Sequence, residues 1–423
     1  MHRILITLLI IAASLTATAQ VTLEQCQQAA VSNYPLIKQR DLIRLTTDYT
    51  VANIKKGWLP QVSASAHATL QSDVTAWPDE MRDMLTRSGL DVKGLKKDQY
   101  RVGLDVNQTI YDGGSIAGQA ALAREQGLVQ QAQNEVNLYA VKMRVNELYF
   151  ALLLVKEKQK LNHDLQALLE SNEKKLESMY RRGTAAESDL NTVKAEHLVA
   201  VQQGLDLTAQ QQALSRMLST LCGIDVTDVQ KPPVVETGDM NNRPELQLYD
   251  AQLRLTDAHK QTLDAAMRPK LSLFAQGFYG YPGYNMFDDM MRHRWSLNGM
   301  IGARITWNIT PLYTRKHDMA KLKLQRQQIE NSRETFVLNN RLDQIQHADN
   351  ARRYHSVMAT DADIIALRSK VRKAAESKLA HGIIAVNDLV KEINSENAAR
   401  VQQSIHETEM LKEIYDLKYA TNN

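Results

Sequence analysis

Asn33-Tyr34-Pro35 opens a stretch that closes at Leu59-Pro60, and Asn242-Arg243-Pro244 opens another that closes at Arg268-Pro269. The prolines share one offset of 209 positions, from 35 to 244 and from 60 to 269. Further on the offset is 199: Gly103-Leu104-Asp105-Val106 matches Gly302-Ala303-Arg304-Ile305, Gly183 matches Gly382, Asp189 matches Asp388, and Leu190 matches Leu389. A register held over about eighty residues leaves room for few gaps, so the two halves read as copies of one structural unit.

Residues 1–19 read as a signal peptide. His2 and Arg3 form a basic start, Ile4 to Leu15 is a short apolar run, and Ala17-Thr18-Ala19 is a small-x-small cleavage site before Gln20. The run is too short to span a bilayer comfortably as a helix. Leu23-Glu24-Gln25 is the wrong context for lipid attachment at Cys26, so the mature chain is expected to be exported without a lipid. Aromatic residues make up 6 % of the chain and there are 9 prolines in 423 residues, a composition of long helices. A net charge of +3 gives neither a nucleic-acid footprint nor a polybasic anchor. Two cysteines, Cys26 and Cys222, make no disulfide framework, and their pairing stays open. No later segment reads as a transmembrane helix, so contact with a membrane would have to be made by strands.

Periodicity gives each half the same order: helix, strand, loop, strand, very long helix, tight turn, returning helix. Leu23 to Lys56 reads as helical, and Leu59-Pro60 ends it, because the residue before proline avoids the α region. The period then changes to two. Val62, Ala64, Ala66, Ala68 and Leu70 alternate with polar Ser63, Ser65, His67 and Thr69, giving a strand over about 61–72. A second strand, about 99–109, sets Tyr100, Val102, Leu104 and Val106 against Arg101 and Asp105. In the other half, strands over about 270–280 and 295–309 repeat the pattern. Phe274 and Phe278 blur the former, and the latter sets Trp295, Leu297, Ile301, Ala303, Ile305 and Trp307 against Asn298 and Arg304. Runs of about ten residues are the length a tilted strand needs to cross a bilayer. The connection Asp73 to Asp98 reads as a long polar loop and Tyr281 to Arg294 as a shorter one rich in Tyr, Met and Gly, unequal loops as on the outer face of a barrel.

A helix starts after Asp112-Gly113-Gly114 and runs to Gly183; a second runs from Pro311 to Gly382 with neither Gly nor Pro inside it. Roughly seventy residues at 1.5 Å each span on the order of 100 Å, and no globular domain accommodates that. Spacings of three and four, as in Leu161, Leu165 and Leu168, resemble coiled-coil packing. The units are therefore 20–222 with a hairpin turn at about 183, a linker 223–241, and 242–423 with a turn at about 382.

Four amphipathic strands cannot shield their own edges in lipid, so the chain must assemble. Two copies would give eight strands and a filled interior; three would give twelve and an aqueous lumen. Ser65, His67, Arg101, Asp105, Asn298 and Arg304 suit a wet, lumen-facing surface. The alternative is a half-exposed sheet in a water-soluble helical protein, which leaves the long helices without a purpose.

With these features in place, the chain resembles the TolC-like outer-membrane efflux family over nearly all of its mature length. The resemblance rests on the Asn-x-Pro starts at Asn33 and Asn242, the Leu-Pro and Arg-Pro strand entries, the turn Tyr111-Asp112-Gly113-Gly114, and the Gly-x5-Asp-Leu turns at 183–190 and 382–389. No one motif is specific; their duplicated order is. The resemblance implies an α+β membrane protein in which a long coiled-coil-like α-helical barrel is continuous with a transmembrane β-barrel, with four strands per protomer and two internal structural repeats. It implies a homotrimer in outer-membrane lipid with a large periplasmic extension. It also implies docking to a periplasmic adaptor (a membrane fusion protein) and an inner-membrane transporter of the RND, ABC or MFS type.

The two hairpin turns would then form the periplasmic tip and meet the adaptor through Arg182, Gly183, Thr184 and Glu187, and through His381, Gly382, Ile383 and Ile384. Thr184 and Glu187 fit a capping box, and the second turn is apolar for an exposed loop. Asp189 and Asp388 lie in the first turns of returning helices, where the helix dipole alone favours carboxylates. The resemblance places Asp388 in a periplasmic gate, with Asp189 its counterpart. Here the chain departs from the family's best-known member: a second acidic position is Lys391, able to pair with Asp388 at i, i+3, and a locking arginine is Ile384. Met286, Met290, Met291 and His293 lie together, but their scattered spacing reads as plain loop rather than a metal site. There is no nucleophile elbow, phosphate loop or zinc motif, so no enzyme and no cofactor are expected. The function expected is a passive export conduit of a tripartite efflux or type I secretion system; the rival is a structural envelope protein whose helices span the periplasm without transport.

Overall fold

The computed structural model describes residues 20–236, 238 and 241–422, so the expected signal peptide lies outside it. The elements in order are α1 (Leu23–Asn33), α2 (Ile37–Lys55), β1 (Gln61–Leu70), α3 (Asp79–Arg87), β2 (Asp98–Tyr111), α4 (Ser115–Arg181), α5 (Glu187–Cys222), α6 (Pro244–Ala266), β3 (Lys270–Tyr281), α7 (Met286–Arg292), β4 (Ser296–Thr306), α8 (Pro311–Ala380) and α9 (Val386–Thr421). The sequence strand, short helix, strand, long helix, returning helix occurs twice. Contacts divide the chain into two compact units: one of residues up to Arg40, Ala132–Leu248 and Asn331 onward, the other of Asp41–Gln131 and Tyr249–Glu330.

The second of these units holds one antiparallel sheet in the order β1-β2-β3-β4. Its strand ends are set by pairing. Leu70 faces Asp98, so β1 ends there rather than near 72. β2 runs on to Tyr111, opposite Leu271, past a register shift between Thr109 and Tyr111. β4 is shorter than expected because β3 offers partners only from Gly280, opposite Ser296, to Lys270, opposite Thr306; Trp295 and Trp307 flank it. The Tyr111-Asp112-Gly113-Gly114 turn follows from its residues. The buried Asp112 carboxylate accepts the N–H groups of Gly114 (2.8 Å) and Ile116 (2.5 Å), capping α4. Gly113 sits at φ 73°, where any Cβ would also lie 2.8 Å from Arg268 Cβ.

Both connections expected as loops contain a helix, α3 and α7, and they pack. Leu95, Tyr281 and Met290 form a small core with Val74 and Trp77 against it, and His293 Nε2 lies 2.6 Å from the Gly94 carbonyl. Met290 is thus a packing residue.

The other unit is built around Leu23, Cys26, Ala30, Val145, Tyr149, Phe150, Leu218, Val229 and Tyr415. The expected single helix from Leu23 to Lys56 is broken, because Tyr34 before Pro35 is extended; a 3-10 turn at Lys56–Trp58 then finishes α2. Thr22 and Gln25 form a full capping box on α1. Asn33 reaches the last carbonyls of α5 at Thr220 and Leu221, while the Asn242 N–H meets the Thr421 carbonyl at the end of α9. The linker is tied into the core. Val21 bridges Val229, and the Tyr149 hydroxyl lies 2.8 Å from Val21 O and 2.6 Å from Gln230 O.

Candidate channel wall and hairpin turns

Directly opposed residues of an antiparallel pair share a face. The register therefore puts His67, Arg101, Gly280 and Ser296 on one face, with Ser65, Gly103, Phe278 and Asn298 on the next row. The same face continues through Asp105, Gln276 and Met300, and ends with Ser272 and Arg304. All six residues expected on a wet surface, Ser65, His67, Arg101, Asp105, Asn298 and Arg304, lie on that one side. The two phenylalanines that blurred the pattern lie there too, and they carry the arginines. The Arg101 guanidinium carbon sits 3.7 Å from the Phe278 ring centre, and that of Arg304 sits 5.0 Å from Phe274. Gly302 makes room for this, since a Cβ there would lie 2.7 Å from Phe274 Cζ. Asp105 accepts from Gln276 Nε2 at 2.5 Å. Among the described residues no carboxylate lies within ion-pair distance of Arg101, Arg304 or Lys270.

The opposite face carries Val62, Leu70, Val102, Leu104, Leu273, Leu297, Ile301 and Ile305, and it is bare: Leu297 is 83 % exposed, Ile301 82 % and Ile305 75 %. An apolar sheet face of this extent is far from ordinary protein surface. Aromatic side chains gather at its ends. Tyr100 and Tyr279 pack on Trp295 at centroid distances of 6.1 and 5.4 Å, while exposed Trp58, Tyr111 and Trp307 lie at the other end. β1 and β4 each have one unpaired edge. No helix among the described residues is long and apolar enough to cross a membrane.

The spacing Gly-x5-Asp-Leu has a physical reason in the hairpin turns. Gly183 (φ 71°) and Gly382 (φ 68°) take the left-handed conformation that ends α4 and α8. Each closes a paired motif: Gly183 N–H to Tyr180 O and Thr184 N–H to Met179 O, and correspondingly Gly382 to Leu379 and Ile383 to Lys378. Six residues after each glycine, the Asp189 carboxylate accepts the Ala186 N–H at 3.2 Å, and Asp388 accepts that of Ala385 at 3.2 Å. Leu190 and Leu389 are then buried. The expected Thr184–Glu187 capping box is therefore replaced. Ala186 is the cap residue, Asp189 makes the return bond, and the Thr184 hydroxyl donates to Met179 O at 3.0 Å. A short side chain two residues too early cannot reach the orphan N–H groups.

Asp388 is exposed and occupied by its own helix end; among the described residues no ion pair joins it to Lys391, also exposed. The second turn is less open than its composition suggests. Ile383 is 69 % exposed, but Ile384 packs against Leu389 and Ile393, and Val386 is buried with Leu190, Val193 and Val390. Arg182, Gly183, Thr184, Glu187, His381 and Gly382 are all exposed. Between the two turns lies a groove of about 820 Å³ lined by Asn172, Leu176, Met179, Leu379, His381 and Leu389, among others.

The seams of the two hairpins differ chemically. In α4–α5 they are largely amide-based, with one His–carboxylate contact of 2.9 Å between His197 and Glu173: Asn162 and Gln166 donate to Ala200 O at 3.0 and 3.2 Å, with Gly204 leaving room for both side chains. In α8–α9 they are charged. Glu396 accepts from Arg372 Nε at 2.5 Å and Arg400 Nη2 at 2.7 Å, and His406 and His347 meet Asp361 and Glu413. Burial pushes the Glu396 carboxyl up, but the hydrogen bonds from Arg400 and Arg372 outweigh it and hold it below the usual carboxylate range. This seam was missed in the sequence because partners 24 and more positions apart carry no local signal.

No family model and no curated protein matches the sequence. Solved structures do match. The outer-membrane channel OprN superposes with a TM-score of 0.69 at 15 % identity, over 94 % of this chain and 89 % of that one. CusC, whose structures concern folding and transmembrane channel formation, gives 0.72 at 11 % identity over 95 % and 92 %. The outer-membrane protein VceC of Vibrio cholerae gives 0.69 at 11 % over 95 % and 96 %. The fold is that of TolC-like outer-membrane channels. The four-stranded antiparallel sheet and the long helical hairpins α4–α5 and α8–α9 are compatible with that fold.

Proposed function

We propose that this chain is one third of a trimeric outer-membrane channel, the passive exit duct of a tripartite efflux or type I secretion system. The observation that carries the reading is the four-stranded sheet: one face apolar and bare, one polar, and both edges unpaired. Three copies supply twelve strands. Lipid covers the Leu297, Ile301 and Ile305 side, and Ser65, His67, Arg101, Asp105, Asn298 and Arg304 line the lumen. The chain then sits in the outer membrane with its hairpins in the periplasm. The two turns form the tip, and Arg182, Gly183, Thr184, Glu187, His381, Gly382, Ile383 and Ile384 meet a periplasmic adaptor that delivers solute from an inner-membrane pump. Asp189, Asp388 and Lys391 lie at that tip as its gate. The two aspartates also hold the helix starts, so their contribution to gating is separable from folding by variants that remove the charge and keep the cap, Asp189→Asn and Asp388→Asn. Nothing in the reading calls for catalysis or a cofactor.

The test is reconstitution. Protein extracted in detergent should have the mass of three chains and give discrete conductance steps in planar bilayers. A stable monomer, or a trimer that never conducts, would favour a structural envelope protein instead.

A further inference from the structure

The chain has two cysteines, Cys26 and Cys222, separated by 196 positions, and the fold brings them together. Cys26 lies on α1 and Cys222 is the last residue of α5. Both belong to one buried core with Leu23, Ala30, Tyr149, Leu218 and Val226; Cys26 is fully shielded and Cys222 is 2 % exposed. Cys222 Sγ donates to the Cys26 carbonyl oxygen at 3.4 Å. Both are free thiols in this structure. The chain's two cysteines, 196 positions apart, thus meet in one buried core with the Cys222 sulfur against the Cys26 backbone, a closer approach than two small apolar fillers require.

We propose that Cys26 and Cys222 are joined as a disulfide while the exported chain folds, fastening α1 to the end of α5. The inference rests on the export reading above, because disulfides persist in an oxidising compartment. With two cysteines only one intramolecular pairing exists, so no isomerisation is needed. The oxidant is a protein thiol–disulfide oxidoreductase. A thiolate of the chain attacks its disulfide, the mixed disulfide is displaced by the second cysteine, and two protons and two electrons leave the chain as the oxidoreductase becomes a dithiol. Burial sets the order of events: the bond forms before the core closes, and the closed core then shields it from reductants.

The mechanical sense lies in α1. It has 11 residues, too few to hold a helix alone, and it stands at the mature N-terminal end, where chains fray unless tied down. Leu23, Cys26 and Ala30 are its buried contacts. A covalent tie at the middle one fixes its rotation against α5, and with it the placement of Asn33 on the α5 carbonyls.

The experiment uses the wild-type protein purified from the outer-membrane fraction without reductant. It is unfolded in guanidinium with iodoacetamide, weighed, and mapped as peptides. The expected result is a mass two hydrogens below the dithiol form, no alkylation, and one cross-linked peptide pair containing Cys26 and Cys222; dithiothreitol should open it only after unfolding. Two carbamidomethyl groups on unreduced outer-membrane protein would overturn the proposal and leave the channel reading standing. Recovery of the chain in the cytosolic fraction, with its thiols free, would instead sink the export reading and this inference with it.

Discussion

Replacing Glu396 by Ala should loosen the α8–α9 hairpin locally. Its carboxylate is 6 % exposed and takes hydrogen bonds from Arg372, 12 % exposed, and Arg400, 46 % exposed. The half-exposed Arg400 contributes about 0.5 kcal/mol, as surface pairs do. A buried hydrogen bond to a charged group is worth about 1.5–3 kcal/mol. The Arg372 share stays below the larger loss expected for an orphaned buried charge, because Glu376 remains paired with Arg372 at 2.6 Å. The expected cost is about 2–3 kcal/mol, with Glu396→Gln losing less since the amide still fills the site and accepts one bond. Native-state hydrogen exchange in detergent reads this directly. Amides of α8 and α9 flanking Arg372 and Glu396 should exchange faster by roughly 30-fold or more, while strand amides stay unchanged. The same carboxylate sets a pH dependence. Its value is depressed on folding, so its stabilisation is whole above the ordinary unfolded value of about 4.3 and is lost as pH falls through the lower folded value. Wild-type seam amides should therefore lose protection below about pH 4, and the Ala variant should show no such step. Exchange altered less than threefold, or accelerated equally in the sheet, would refute the local-seam argument.

Three further outcomes follow from the same geometry. Replacing Arg101 and Arg304 together by Gln removes two of the three unpaired Lys/Arg cations named above from the polar sheet face, leaving Lys270, so the reversal potential in a salt gradient should move away from that of chloride; an unchanged potential removes these residues from the lumen. Gly382→Ala meets no steric neighbour, yet its φ of 68° is unfavourable to a Cβ, and the turn should lose about 1–2 kcal/mol by thermal melting, with Asn at that position costing less. Ile383→Asp alters the exposed part of the second turn while sparing buried Val386, so export should fall with unchanged trimer melting; normal export would dissociate this turn from adaptor docking.

What could be read from the sequence was whatever had a period or a local partner. The strands were legible because Val62 to Leu70 and Leu297 to Ile305 alternate, and the duplicated Gly-x5-Asp-Leu spacing marked both turns. The faces were legible up to Phe274 and Phe278, which look like errors in the pattern until the register places them under Arg304 and Arg101. The capping chemistry was misread because Thr184 and Glu187 match a motif by spacing alone. The cap begins two residues later, where the Schellman geometry of Gly183 delivers the chain. The α7 helix and the charged α8–α9 seam were invisible, since each is decided by contacts with residues far away in the chain.

The dimensions of the sheet bear on the number of copies. Neighbouring strands lie about 4.8 Å apart and tilt about 40° in membrane barrels, so eight strands close at a backbone diameter of about 16 Å and twelve at about 24 Å. Side chains fill the smaller ring. In the proposed barrel the polar face would hold Phe274 and Phe278 with a guanidinium stacked on each, and a stacked ring and guanidinium together stand well off the sheet. Two copies would set four such stacks into an interior that has no room for water, leaving unpaired arginines dry, which is strongly unfavourable. Three copies set six stacks around an open centre, where every arginine keeps its hydration. The height agrees as well. The 10 residues of β1, the shortest strand, rise about 25 Å along the membrane normal at the same tilt, against an apolar band about 25 Å tall. The bulky, charged composition of the polar face thus favours the proposed twelve strands over eight, and a mass measurement showing a two-chain particle would contradict the packing argument itself.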